Sequence, residues 1–179
     1  MPYDPHKHQR HSIRLRGYDY ASEGMYFVTI CALVRQPWFG TVYDGEVRSN
    51  DAGQMIAATL QGLPARFPHA ALDTAIVMPD HVHAIFALTN TPPAAQPTTN
   101  DLPNGTAAGS LGRIVQAFKS LTTVAYTRSV TLQGWAPFAG KLWQRNYYER
   151  VIRDEQELEQ VRAYIAANPA RWRDDVFHG

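Results

Sequence analysis

Two histidines, His81 and His83, flank one apolar residue, Val82, and an apolar run follows them through Phe86. A run of that kind reads as a β-strand. Side chains at i and i+2 of a strand leave the same face, so the two imidazoles stand side by side while Val82 turns into packing. Two adjacent imidazoles are half of a metal site. A His-x-His pair is also a pattern that strands carry for packing alone, so the rest of the chain must decide between the two.

Further along, Tyr164 and Asn168 lie one helical turn apart, with Val161 and Ile165 as the buried stripe beside them. If that helix lies near the histidine strand, the site holds two imidazoles, an amide oxygen and a phenol. This set suits phosphodiester cleavage: a divalent cation on the histidines polarises the scissile phosphate, and the tyrosine attacks phosphorus to form a covalent link. A phenol ionises near pH 10, so attack needs help from the cation or a base. Two imidazoles and an amide bind Mg2+ less tightly than carboxylates do, and Mn2+ somewhat better. The covalent link conserves the energy of the broken bond, so strand transfer needs no ATP.

The spacing predicts the elements that must position these groups. Strands are expected over 25–34, 72–78, 81–88 and 141–152, with a short hairpin over 39–47 turning at Asp44-Gly45. Helices are expected from an Asn50 or Asp51 cap to about Arg66, from a Ser110 cap to about Thr127, and over 155–168 behind Asp154. The order is a βαββαβ core with one added C-terminal helix. That is an α+β, ferredoxin-like arrangement: an antiparallel sheet with helices packed on one face. Residues 1–17 read as a basic arm and 18–179 as a single domain, with 90–109 a flexible loop rich in Thr, Pro, Ala, Asn and Gly.

Composition narrows the classes. The chain of 179 residues is 45% hydrophobic, has no apolar run long enough to span a bilayer and starts polar, without a secretory pattern. Its single cysteine, Cys31, excludes an intrachain disulfide and a cysteine-rich zinc site, and is expected to be a buried small hydrophobe. A cytoplasmic, nucleoid-associated protein is expected. The net charge of +1 hides two basic clusters. Lys7, Arg10, Arg14 and Arg16 lie in the arm, and Lys141, Arg145, Arg150 and Arg153 lie among Trp143, Tyr147 and Tyr148. Cations interleaved with aromatics suit phosphates and unpaired bases, and equally a solvated surface. Arg10, Arg14, Arg16, Lys119, Arg145, Tyr148, Arg150 and Arg153 are the candidate DNA contacts.

Six stretches then carry a resemblance: YFVT at 26–29, VMPDHVH at 77–83, SLG at 110–112, FKS at 118–120, LWQRNYYERVIRD at 142–154 and YIAANP at 164–169. In this order and spacing the chain resembles the His-hydrophobic-His single-tyrosine transposases, above all the REP-associated tyrosine transposases of bacteria. The resemblance implies Tyr164 as nucleophile, His81 and His83 as metal ligands with Asn168 as the third polar ligand, and Mg2+ or Mn2+ as cofactor. It implies nicking and joining of single-stranded DNA beside hairpins through a 5′-phosphotyrosine link. Asp80 stands where the family most often has asparagine, a departure expected to leave the chemistry untouched.

Tyr147 and Tyr148 are the rival nucleophiles; on a strand they face opposite ways, so at most one reaches the site. Tyr126 is expected to pack, His69 to lie on the surface after Pro68, and His6, His8 and His11 to offer at most an adventitious metal site. Two other functions compete. One is a catalytically silent protein that binds hairpin DNA, against which the complete His81, His83, Tyr164, Asn168 set argues. The other is a metal hydrolase of small phosphoesters, which has no use for the long basic and aromatic stretch. No membrane partner and no nucleotide cofactor are expected, and a monomer is favoured over a homodimer.

Overall fold

The computed structural model describes residues 20–89 and 109–174. The basic arm, and with it Arg10, Arg14, Arg16 and the three clustered histidines, lies outside the described residues, as do residues 90–108 of the loop. The elements in order are β1 (Gly24–Cys31), β2 (Gly40–Tyr43), β3 (Glu46–Ser49), α1 (Asp51–Arg66), β4 (Ala70–Val77), β5 (His81–Leu88), α2 (Leu111–Gln133), β6 (Tyr148–Ile152) and α3 (Glu155–Ala167). A short 3-10 turn, Pro169–Asp174, follows α3. The main sheet has the strand order β4-β5-β1-β6 with antiparallel neighbours throughout. This is the split βαβ order of the ferredoxin-like arrangement. The small β2–β3 hairpin turns through Asp44 (φ 53°) and Gly45 (φ 73°), the two positive φ angles that a tight two-residue hairpin needs.

The helices divide between the two faces of the sheet. Tyr26, Val28 and Ile30 of β1 and Val82, Ala84 and Phe86 of β5 point one way, into a core built with Ile56, Leu60 and Leu63 of α1 and Ile114 and Phe118 of α2. Ile85 and Ile152 point the other way and meet Leu158, Val161 and Ile165 of α3, with Phe27 and Tyr164 beside them. The expected packing on one face therefore holds for α1 and α2, and α3 covers the opposite face. The reason lies in the two central strands: β1 and β5 carry apolar residues at both parities, so both faces need cover.

Local signals fix α3. Asp154 caps it by accepting from the Glu157 N–H at 2.7 Å, and the Arg153 N–H donates to Glu157 Oε2 at 2.9 Å. Arg162 reaches down with a fork of donors onto Asp73 of β4, at 3.0 Å and 2.5 Å. Helix α2 runs past the expected end to Gln133, where Gly134 closes it in the left-handed conformation at φ 71°. The last strand is shorter than expected. Residues 141–147 are not strand: they run beside the end of β1 through a single bridge, Ala32 to Trp143, and the Gln144 N–H donates to the Cys31 carbonyl at 2.9 Å.

Candidate active site

The site begins with a row across the sheet. Register places Ile76, His83, Thr29 and Tyr148 side by side on β4, β5, β1 and β6, and places His81 opposite Cys31. His81 and His83 are completely buried and leave the α3 face. Their Nε2 atoms are 3.0 Å apart and their ring centroids 4.5 Å. Each Nδ1 is engaged elsewhere. That of His83 lies 2.8 Å from Thr29 Oγ1, and that of His81 lies 2.7 Å from Asp80 Oδ1. A carboxylate only accepts, so His81 donates from Nδ1, and in the neutral ring its Nε2 keeps a lone pair. The 3.0 Å contact between the two Nε2 atoms then has His83 Nε2–H as its donor, and His83 Nδ1 accepts from the Thr29 hydroxyl. Burial, then the neighbouring His81, then the charge of Arg35, lower the His83 pKa to about 2, so this ring is neutral at any working pH.

Helix α3 brings the second half. The Tyr164 ring stands edge-on to His83, with centroids 5.3 Å apart, and meets Phe27 nearly perpendicular at 6.0 Å. Asn168, at the end of the helix, is buried, and its Oδ1 has no hydrogen-bond partner among the described residues. An orphaned buried amide oxygen costs about 1–3 kcal/mol unless a ligand uses it. In the following 3-10 turn, Trp172 stacks on His81 at 5.8 Å with an interplanar angle of 16°. A cavity of about 330 Å³ opens beside Tyr164, with Phe27 and Thr29 from β1, Tyr148 and Arg150 from β6, and Gln160 from α3 in its lining.

The other expected contacts are more scattered. Tyr148 lies on the site face and is 43% exposed, whereas Tyr147 packs against the core of the opposite face. Arg145 and Arg153 are exposed, and Arg150 forms an ion pair with Glu157 at the start of α3. Lys119 extends from α2 to the carbonyls of Gln144, Arg145 and Asn146, at 2.9, 3.3 and 3.0 Å. All three ammonium protons are thus directed at one backbone stretch, the one that interrupts the expected strand.

One expectation fails. His69 is buried rather than superficial, with its Nε2 2.9 Å from the Gly109 carbonyl. The Asp80 carboxylate, 1% exposed, touches His81 and forms an ion pair with Arg35 Nε at 2.7 Å. Tyr126 and Cys31 are buried, as expected. Sequence reasoning missed Thr29, Arg35, Trp172 and Arg162. Thr29 had a signal, an aliphatic hydroxyl inside an apolar strand; Arg35, Trp172 and Arg162 had none, because their contacts are made across the fold. Among the described residues no three His, Cys, Asp or Glu side chains gather as a metal group. The donor set is the histidine pair plus an amide.

No family model matches this chain. An uncharacterized protein of Haemophilus influenzae is 34% identical over 181 residues, covering 96% of this chain and 94% of that one. A solved structure of a REP-associated tyrosine transposase bound to a REP hairpin superposes with a TM-score of 0.57, over 89% of this chain and 73% of that one, at 17% identity. The chain belongs to one family with the Haemophilus protein, and its fold is that of a REP-associated tyrosine transposase. The strand order sets the histidine strand at the centre of the sheet, under α3. No helix among the described residues is long and apolar enough to cross a membrane.

Proposed function

We propose that this chain is a transposase-like, metal-dependent single-strand DNA endonuclease and strand-transferase, acting beside DNA hairpins through a 5′-phosphotyrosine link. The observation that carries the reading is the buried pair of imidazole Nε2 atoms, 3.0 Å apart, with the Tyr164 ring 5.3 Å from His83. The donor set fits a divalent cation: His83 is held neutral by burial, and the Asn168 amide oxygen is buried with no partner among the described residues. His81 Nε2, His83 Nε2 and Asn168 Oδ1 would hold Mg2+ or Mn2+. Bound there, the ion would supply charge to a phosphoryl oxygen and favour the ionised phenol.

The chain's own residues do the rest. The Tyr164 phenol gives up its proton to solvent and its oxygen attacks phosphorus; the Tyr–O–P bond forms, the P–O3′ bond breaks, and the departing 3′-oxygen takes up a proton to become a 3′-hydroxyl. Phe27 and His83 hold the phenol ring on two sides, which limits its rotamers before attack. A strand bearing a 3′-hydroxyl can reverse the step or replace the first strand. Arg145, Arg150 and Arg153 would hold phosphates near the cut, Tyr148 would stack on an unpaired base, and Arg10, Arg14 and Arg16 would follow the hairpin backbone. The partners are therefore single-stranded DNA and DNA hairpins, and a monomer is favoured over a homodimer.

The test is a single-stranded hairpin oligonucleotide with flanking tails, incubated with the protein and Mn2+ or Mg2+. A detergent-stable protein–DNA adduct is expected, absent with chelator and absent in Tyr164→Phe. Hairpin binding without any adduct would make this a silent DNA-binding protein instead.

A further inference from the structure

Asp80 has no need to be charged in order to end a turn, yet a carboxylate is buried there. The surrounding backbone explains how it is held. The Ala32 N–H donates to the Asp80 carbonyl at 2.9 Å, and the Phe39 N–H donates to the Pro79 carbonyl at 3.0 Å. The segment that leaves β1 is thereby laced onto the turn that starts β5, and it delivers Arg35. The result is a chain of contacts from Arg35 Nε to Asp80 Oδ2 (2.7 Å), from Asp80 Oδ1 to His81 Nδ1 (2.7 Å), and from His81 Nε2 to His83 Nε2 (3.0 Å). Asp80 is 1% exposed, and an isolated carboxylate at that depth is costly unless paired.

We propose that Arg35 and Asp80 are positioning residues for the histidine pair: Arg35 holds the Asp80 carboxylate, and the carboxylate holds His81 with its Nε2 lone pair turned toward the ligand position. The inference rests on the reading of that pair as a metal centre. A carboxylate behind a ligating imidazole fixes the tautomer, fixes the ring plane and raises the donor strength of the far nitrogen. Trp172, stacked on the same ring, limits its remaining tilt. Asparagine at position 80 can still accept the Nδ1 proton, but it brings no charge and cannot pair with Arg35. Through Asp80 an arginine this close to the pair supports it, whereas a cation by itself repels a metal ion.

That opposition of signs makes the proposal testable. Acting directly, Arg35 weakens cation binding, so its removal tightens it. Acting through Asp80, Arg35 strengthens binding, so its removal weakens it. The experiment is a Mn2+ titration of the full-length protein, free Mn2+ being read by electron paramagnetic resonance, for the parent, Arg35→Met, Asp80→Asn, the double variant and His81→Ala. Asp80→Asn is expected to lose about 10-fold in affinity, at the lower end of such effects. Arg35→Met is expected to lose several-fold when Asp80 is present, and to lose nothing or gain slightly when residue 80 is asparagine. Nitrogen chemical shifts of the His81 ring in metal-free protein supply a second readout: a Nδ1–H tautomer in the parent, and a mixture in Asp80→Leu. Arg35→Gln, which removes the charge and keeps an amide donor, stands in if Arg35→Met does not fold.

Tighter binding by Arg35→Met in the parent background, an equal loss in both backgrounds, or a parent-like affinity and tautomer without Asp80 would each overturn the proposal. Absence of any Mn2+ binding that His81→Ala removes would defeat the metal centre itself. Binding that ignores the cycle would defeat this inference alone.

Discussion

The two faces of the sheet are built to different ends. On the face covered by α1 and α2, the strands present Tyr26, Val28, Ile30, Ala84 and Phe86, all buried, to the apolar stripes of two helices. On the face covered by α3, the same two strands present Thr29, His81 and His83, with Asp80 just ahead of them, and a smaller apolar cluster holds a single helix. The first face collects the larger share of the burial that drives folding. The second spends its central positions on groups that are costly to bury and satisfies them with one another. On the proposed function this division separates stability from activity, and substitutions on the two faces should separate them as well.

The sharpest separation is Tyr164→Phe. It removes one hydroxyl from a half-buried ring and keeps the ring's contacts with Phe27 and His83, so the adduct should vanish while stability changes by less than about 1 kcal/mol. An adduct that survives in Tyr164→Phe and disappears in Tyr148→Phe would move the nucleophile to β6. The mirror experiment is Phe118→Ala on the other face. It should lower stability by about 3–5 kcal/mol in urea, the usual cost of a large buried ring, while adduct formation per folded molecule stays near that of the parent. If activity fell as steeply as stability, the two faces would not be independent.

Thr29→Val lies between these extremes. The side chain keeps its shape and its place in the row, but His83 Nδ1 loses the hydroxyl 2.8 Å away. Metal affinity should fall by about 10-fold, as for other partners that orient a ligand. Stability should fall by about 1–3 kcal/mol for the unsatisfied nitrogen. Manganese affinity that does not respond to Thr29→Val would mean that the helix face, and not the sheet, orients His83.

What the sequence made legible follows the same division. Periodicity located the strands of the core face well, and β5 begins at His81 and ends at Leu88 as its apolar run predicts. The caps Asn50, Ser110 and Asp154 were readable because a cap is a local hydrogen bond. Errors arose where a long-range contact overrode the local pattern. The stretch 141–147 has the composition of a strand, but Lys119 draws the carbonyls of Gln144, Arg145 and Asn146 away from any ladder. His69 follows a proline and looks superficial, yet it meets a carbonyl forty positions along the chain. The histidine pair and the Tyr164–Asn168 spacing were plain in the sequence. The partners that orient His81 were not, since nothing local relates Arg35 to Asp80.

Lys119 offers the finest test, because it puts a charge at the rim of the face that otherwise buries apolar groups. Burial lowers its pKa from the ordinary 10.5 to about 8, with a smaller opposing pull from Cys31. Below pH 8 the ammonium is protonated in both the folded and unfolded chains, and the cost of burying it is felt in full. Between pH 8 and about 10.5 the folded chain releases a proton that the unfolded chain keeps. The unfolded state then binds more protons, so stability contributed by this residue rises with pH across that window, by up to about 1.4 kcal/mol per pH unit. Three carbonyl acceptors oppose the release, since they favour the charged form. Urea unfolding of the parent and of Lys119→Met from pH 7 to 10.5 separates the two influences, because the methionine variant does not titrate there. The expected result is a parent-minus-variant difference that grows with pH above 8, with faster amide exchange in residues 144–147 as one carbonyl loses its donor. A difference that stays flat to pH 10 would mean that the carbonyls hold the proton. The stretch carrying Arg145 would then be clamped by a permanent cation, and its position would be insensitive to pH.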